Sequence, residues 1–221
     1  LSGEQRVEAE AIIIDGNRVG RMGPRERRTL GLAYIPEERN GHAAIPDLTL
    51  AENALLSAFD RRALLTNGII RYARATGFAA EVIERFSVKA TGPDSRASSL
   101  SGGNLQKFVV GREILQAPNI LIAAQPTWGV DAGAAAAIHQ ALIDLAGHGV
   151  AVLVVSQDLD ELLALTDRLA VINSGRLSRP LVTAEATLEE IGLLMGGLHD
   201  LPETGPASEE TLEPGPVAAH G

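Results

Sequence analysis

The stretch with the most chemistry in it is Leu100 to Lys107, which reads LSGGNLQK. Ser101 is a residue type that begins helices, and Gly102 and Gly103 let a backbone approach a ligand closely. A helix starting there offers unpaired N–H groups and the positive end of its dipole, an arrangement suited to a phosphate. Ser-Gly-Gly alone fits a plain loop running into a helix equally well.

Three other segments hold polar residues at the ends of apolar runs. Asn119–Asp131 reads NILIAAQPTWGVD, so Ala124, Gln125 and Asp131 follow a buried strand candidate. Val150–Ser156 is a second such run, closed by Gln157-Asp158, and Ala33–Arg39 reads AYIPEER, with Glu37 after a third. A phosphate loop of the form G-x-x-x-x-G-K-[ST] needs glycine directly before lysine. The two lysines here are Lys89 after Val88 and Lys107 after Gln106, and neither fits.

The elements that would position these residues follow from periodicity. Ala11–Ile14 is a short strand candidate ending at Asp15-Gly16, and Pro24–Thr29 a short basic helix. Leu32–Ile35 is a strand. Leu48–Phe59 and Ile69–Phe86 have helical spacing with no strand pattern between them, so residues 48–100 look like a helical insert. Then come helix Gly102–Gln116, strand Asn119–Ala124, helix Gly133–Ala146, strand Val150–Ser156, helix Leu159–Thr166, a final strand Leu169–Asn173 and a late helix Leu188–Met195. Continuous apolar strands alternating with helices imply a parallel sheet covered on both faces.

At 221 residues with 45% hydrophobic and 21% charged content, the chain suits a globular domain with a subdomain. No apolar run approaches the roughly 20 residues a membrane helix needs. The absence of cysteine excludes disulfides and thiolate metal sites. Of the net charge of −9, five negative charges fall in residues 199–221, which hold no Lys or Arg and read as a disordered acidic tail. An acidic body without basic, aromatic-rich patches argues against nucleic-acid binding. His42, His139, His148, His199 and His220 read as surface or loop residues.

The octamer, taken whole, resembles the signature motif of ABC-transporter ATP-binding subunits, in the LSGGNLQK form found in importers of simple sugars and nucleosides. The order and spacing of the other segments agree with that family from about Ala11 to Gly197. The resemblance implies an α/β, P-loop NTPase-like parallel-sheet core with a helical subdomain. The expected parts are 1–47, a remnant of the core with the Q-loop region; 48–100, the helical subdomain; 101–198, the signature helix with the Walker B, D-loop and switch regions; and 199–221, the tail. It also implies that the phosphate loop precedes the region beginning at Leu1. The expectation is therefore the second, degenerate nucleotide-binding domain of a duplicated subunit, truncated after that loop.

Residue by residue, Ser101, Gly102, Gly103, Asn104 and Gln106 would meet the terminal phosphate of ATP carried by an opposite nucleotide-binding half. Asp131 matches the D-loop aspartate, and Glu37 stands where the Q-loop glutamine usually is. The family carries Asp then Glu before Pro126-Thr127, and here Ala124 and Gln125 replace them. Alanine offers no oxygen to Mg²⁺, and an amide is not a base, although it can orient a water. Gln157 replaces the switch histidine. The implied cofactors are ATP and Mg²⁺, the latter chiefly at the partner site. The implied partners are another nucleotide-binding domain, permease subunits and, indirectly, a solute-binding protein, at the cytoplasmic face of a bacterial membrane. The AAQPT sequence is nearer the nucleoside importers than the ribose or galactose ones. A non-catalytic scaffold of the same fold is the alternative, which paired glycines at a helix start would not serve.

Overall fold

The computed structural model describes residues 1–198, and the expected tail at 199–221, with His199 and His220, lies outside them. Two compact units divide the chain, Leu1–Thr166 and the segment from Asp167 onward.

The first unit opens with a ribbon of β1 (Ile13–Ile14) and β2 (Asn17–Arg18). Its turn places Asp15 and Gly16 at φ 47° and 75°, where an aspartate and a glycine are at ease. Helix α1 (Pro24–Thr29) follows as expected. Its Arg27 is fully buried and donates to the carbonyls of Leu1, Met22, Val19 and Gly20 at 2.7 to 3.1 Å. This guanidinium, hydrogen-bonded throughout, fastens the segment after the ribbon and the start of the chain to α1.

Strand β3 (Leu32–Ile35) leads to the helical segment, where α2 (Leu50–Ala58) begins at a reciprocal cap between Thr49 and Glu52. The structure corrects the expectation that no strand intervenes next. Leu65–Thr66 (β4) and Ile69–Ile70 (β5) form a hairpin on Asn67-Gly68, both at positive φ, and α3 starts only at Tyr72, ending at Arg85. Asn-Gly is the favoured pair for such a turn. Ile69 and Ile70 matched the helical spacing of the residues beyond them and masked it.

Helix α4 (Gly102–Ile114), strand β6 (Ile120–Ala124), helix α5 (Ala132–Gly147), strand β7 (Ala151–Val155) and helix α6 (Leu159–Leu165) complete the unit. The sheet runs β3-β6-β7, parallel throughout. One face, with Ala33, Ile35, Leu121 and Ala123, packs on Leu50, Phe78, Phe108, Val109 and Ile138 of the helices. The other packs Leu32 and Ile122 against Ile14 and Val19 of the ribbon. That cover stops short of β7, where Leu153 and Val155 are 42% and 50% exposed, so the expectation of a sheet covered on both faces fails there.

An ion cluster locks α4 to α2 and α1. Glu113 is fully buried and accepts from Arg28 (2.9 Å), Arg112 (2.9 Å) and Ser57 (2.5 Å). Burial pushes its carboxyl up, but Arg112 and Arg28 outweigh that and hold it below the usual carboxylate range.

In the second unit the expected strand Leu169–Asn173 is two short strands in different hairpins. Strand β8 (Arg168–Leu169) pairs with β11 (Leu181–Val182), and β9 (Ile172–Asn173) with β10 (Arg176–Leu177). Ser178 Oγ divides them by accepting the Val171 N–H at 2.9 Å. Helix α7 (Leu188–Met195) is capped by Thr187 and buries Ile191 and Leu194. Among the described residues no helix is long and apolar enough to cross a membrane.

Candidate functional site

Parallel strands of equal sense end at one edge of the sheet, and ligands of such sheets bind there. Strands β3, β6 and β7 deliver Glu37, Gln125 and Gln157 to that edge, with Ile35 beside Ala123 and Ala124 beside Val155. Gln125 sits in left-handed backbone at φ 49°, a strained setting for a side-chain-bearing residue. Its N–H donates to Val155 O at 2.8 Å, and its Oε1 accepts from the Gln157 N–H at 3.5 Å. The positions expected to carry the water-activating group and the switch residue therefore adjoin. Ala124 presents no oxygen beside them, and Glu37 lies exposed one strand away.

The start of α4 packs against the β6–α5 loop. Ser101 occupies the N-cap position, but its hydroxyl does not cap the helix as its type suggests. Ser101 Oγ instead accepts from Asn104 Nδ2 at 2.8 Å, while Asn104 Oδ1 accepts from the Lys89 N–H at 2.8 Å. An oxygen already accepting is left with its own O–H to donate. The first intrahelical bond runs from Leu105 N–H to Ser101 O, so the N–H groups of Gly102, Gly103 and Asn104 precede the ladder. Donors thus cluster where an anion would sit.

Gln106 is placed differently from the expectation that it meets nucleotide. It is buried, and its Nε2 donates to Pro126 O at 2.8 Å while Oε1 is without a hydrogen-bond partner. Its work is on the loop. The two glycines also prove to have packing reasons. A Cβ on Gly102 would lie 2.8 Å from Arg39 Nη1, and one on Gly103 would lie 3.1 Å from Asp131 Oδ2. Contrary to expectation, a scaffold of this fold would need the paired glycines too, because the close packing here leaves little room for a Cβ.

The loop from Pro126 to Asp131 is held from several sides. Asp131 caps α5 by accepting the Ala134 N–H at 3.0 Å, and that bond, chiefly, holds its carboxyl below the ordinary aspartate range. Thr127 Oγ1 donates to the buried Glu161 at 2.5 Å, and His139 Nε2 meets the same oxygen at 3.0 Å. His139 is therefore half-buried and engaged, unlike the surface residue expected. Arg39 donates to Trp128 O. None of Arg39, Trp128, Glu161 and His139 was singled out for a role in the sequence. Their partners lie 22 to 89 residues away, although a lone tryptophan between Thr127 and Gly129 was a visible signal.

The fold is that of an ATP-binding cassette of the ABC type. Among solved structures, the dimeric post-hydrolysis state of the ATP-binding cassette MJ0796 bound to ADP and Pi aligns at TM-score 0.63 and 22% identity, over 77% of this chain and 72% of that one. The cassette MJ1267 aligns at TM-score 0.65 and 19% identity, over 88% and 76%. These likenesses speak for the fold. No family model matches the chain.

Curated relatives carry the assignment further. The guanosine import ATP-binding protein NupO of Bacillus subtilis is 35% identical over 197 residues, 89% of this chain and 39% of that protein. The nucleoside import ATP-binding protein NupA of Lactococcus lactis is 36% identical over the same shares. The ribose import ATP-binding protein RbsA of Bacillus subtilis is 35% identical over 89% of this chain and 40% of that protein. The chain belongs to the ABC-transporter ATP-binding family, with nucleoside and simple-sugar import proteins as its homologues. It spans about two fifths of the length of those relatives.

Proposed function

We propose that the chain is the energy-coupling component of an importer for nucleosides or simple sugars, and that it lends its signature to ATP carried by another nucleotide-binding lobe. The observation that carries this reading is the open helix start. The Ser101 hydroxyl and the N–H groups of Gly102, Gly103 and Asn104 converge, unspent, beside a pinned loop. Such donors suit the outer oxygens of a triphosphate.

The residues present do not fit a complete hydrolytic site within the chain. Neither lysine stands in a phosphate-loop setting, and Ala124 and Gln125 replace a metal-supporting carboxylate and a base. No group of three or more His, Asp or Glu able to hold a metal occurs among the described residues. ATP with Mg²⁺, when bound at the shared site, supplies the phosphoryl group. Ser101 and the neighbouring amides orient it, Asp131 and the loop transmit its state between lobes, and Gln125 at most steadies a water. In this reading the chain turns over no ATP alone and belongs to the second, degenerate half of a duplicated subunit. Permease subunits would be its membrane partners, a solute-binding protein an indirect one, and the cytoplasmic face its place. The nucleoside preference rests on AAQPT and on the relatives.

A scaffold role is the second reading, favoured by the packing that Gly102 and Gly103 already serve. Sedimentation of the chain with a lobe bearing G-x-x-x-x-G-K-[ST] separates the two. The signature reading requires ATP-dependent association, abolished by Ser101→Phe; association indifferent to ATP and to that change supports the scaffold.

A further inference from the structure

The β6–α5 loop is fixed from inside by three contacts. Gln106 holds the Pro126 carbonyl, Glu161 holds the Thr127 hydroxyl, and Asp131 is bound into the first turn of α5. Its tip, Trp128-Gly129, projects outward, with Trp128 62% exposed and Gly129 in left-handed backbone at φ +61°. Two turn bonds close the tip on itself, from the Trp128 N–H to Gln125 O at 3.1 Å and from the Val130 N–H to Thr127 O at 3.3 Å. A glycine-bearing tip with an exposed aromatic still swings as a unit unless something from another segment holds it.

That something is Arg39, on the loop after β3. Its guanidinium donates to Trp128 O across 89 residues of chain. It is also wedged between the two loops: a Cβ added at Gly102 would be 2.8 Å from Nη1, and one at Gly129 would be 3.0 Å from Nη2. Arg39 forms none of the ion pairs found among the described residues, so its contacts here are a carbonyl and two glycine backbones. Partial burial lowers its pKa, as expected of a guanidinium drawn from water without a carboxylate in return. A planar fork with donors on two edges spans such a gap; an ammonium reaches only one side of it.

We infer that Arg39 is a positioning residue that locks Trp128 and Gly129 against Gly102, setting the spacing between the signature start and the loop before α5. The inference rests on the reading that this surface meets a triphosphate on another lobe. It adds that the loop carrying Glu37 feels that event through Arg39. Sheet-edge loop, signature and the loop before α5 then move as one piece.

The test uses the 221-residue chain in its wild-type, Arg39→Ala and Arg39→Lys forms. The first readout is the backbone order parameter of Trp128 and Gly129 from ¹⁵N relaxation. We expect about 0.85 in the wild type, below about 0.6 in Arg39→Ala and an intermediate value in Arg39→Lys. The second is ATP hydrolysis with a phosphate-loop lobe, where kcat falls about tenfold or more in Arg39→Ala, KM for ATP holds, and Arg39→Lys recovers part of the loss. Unchanged order parameters in Arg39→Ala overturn the clamp. A loosened loop with unchanged kcat overturns its part in the reaction. If the wild-type chain supports no hydrolysis with the lobe, the functional reading fails, and the clamp stands or falls on the order parameters alone.

Discussion

The signature side and the sheet edge lie close together yet are built on different terms. Around the signature and the loop before α5, six side chains from four segments converge: Asn104 and Gln106 on α4, Arg39 after β3, Asp131 and His139 of α5 and its cap, and Glu161 on α6. Every one holds something in place. At the edge, Gln125 and Gln157 meet through one long hydrogen bond of 3.5 Å, and Ala124 adds no polar atom. In the proposed function one side orients an anion; on the other the two amides that meet can take no proton at neutral pH, and the one carboxylate, Glu37, lies exposed a strand away. The lesson is that orientation and chemistry are separable parts of a nucleotide site. In the proposed function this chain supplies orientation only.

The contrast can be attacked where α4 is anchored. Glu113→Ala leaves Arg112 buried without its carboxylate, and the expected cost is about 3 to 5 kcal/mol in urea unfolding of the chain. A cost under ~1 kcal/mol would mean that the helix bearing the signature does not depend on this cluster. The second attack is on the donors. Ser101→Phe in the assembled complex should lower ATP hydrolysis by about 10²-fold or more, with the unfolding midpoint of the chain unchanged. Equal losses of stability and activity would reduce Ser101 to a packing residue.

Smaller changes sharpen the picture. Glu161→Gln keeps an acceptor for Thr127 but weakens the pair with His139, so a loss of about 1 kcal/mol in stability is expected. The smallest effect is assigned to Asp131→Ala, a slight drop in thermal midpoint from losing a helix cap. Because the folded carboxyl titrates below its unfolded value, the cap contributes fully above about pH 3.9. Its contribution disappears as pH falls through the lower folded value, so wild type and Asp131→Ala converge in acid. A difference that persists there would point to packing instead of the cap.

Much of the scaffold was legible because its signals are local. Pro24–Thr29, Leu32–Ile35 and Leu188–Met195 fall where periodicity and helix-start residues put them. The hairpin at 65–70 was missed because Ile69 and Ile70 fit two periods at once, although Asn67-Gly68 marked the turn. The division of Leu169–Asn173 turns on the Ser178 hydroxyl, whose partner a run of four apolar residues before Asn173 cannot announce. At the candidate site the octamer was readable as a run of types. The uses of those residues were not. That Gln106 would be buried, or that Arg39 would reach Trp128, depends on contacts between segments far apart in sequence, and no local pattern encodes them.

The most direct measurement is a structure of the chain bound to a phosphate-loop lobe with a non-hydrolysable ATP analogue. The account predicts the γ-phosphate oxygens about 3 Å from the Ser101 hydroxyl and the Gly103 N–H. A γ-phosphate bound elsewhere on the lobe, with that helix start facing solvent, would contradict it.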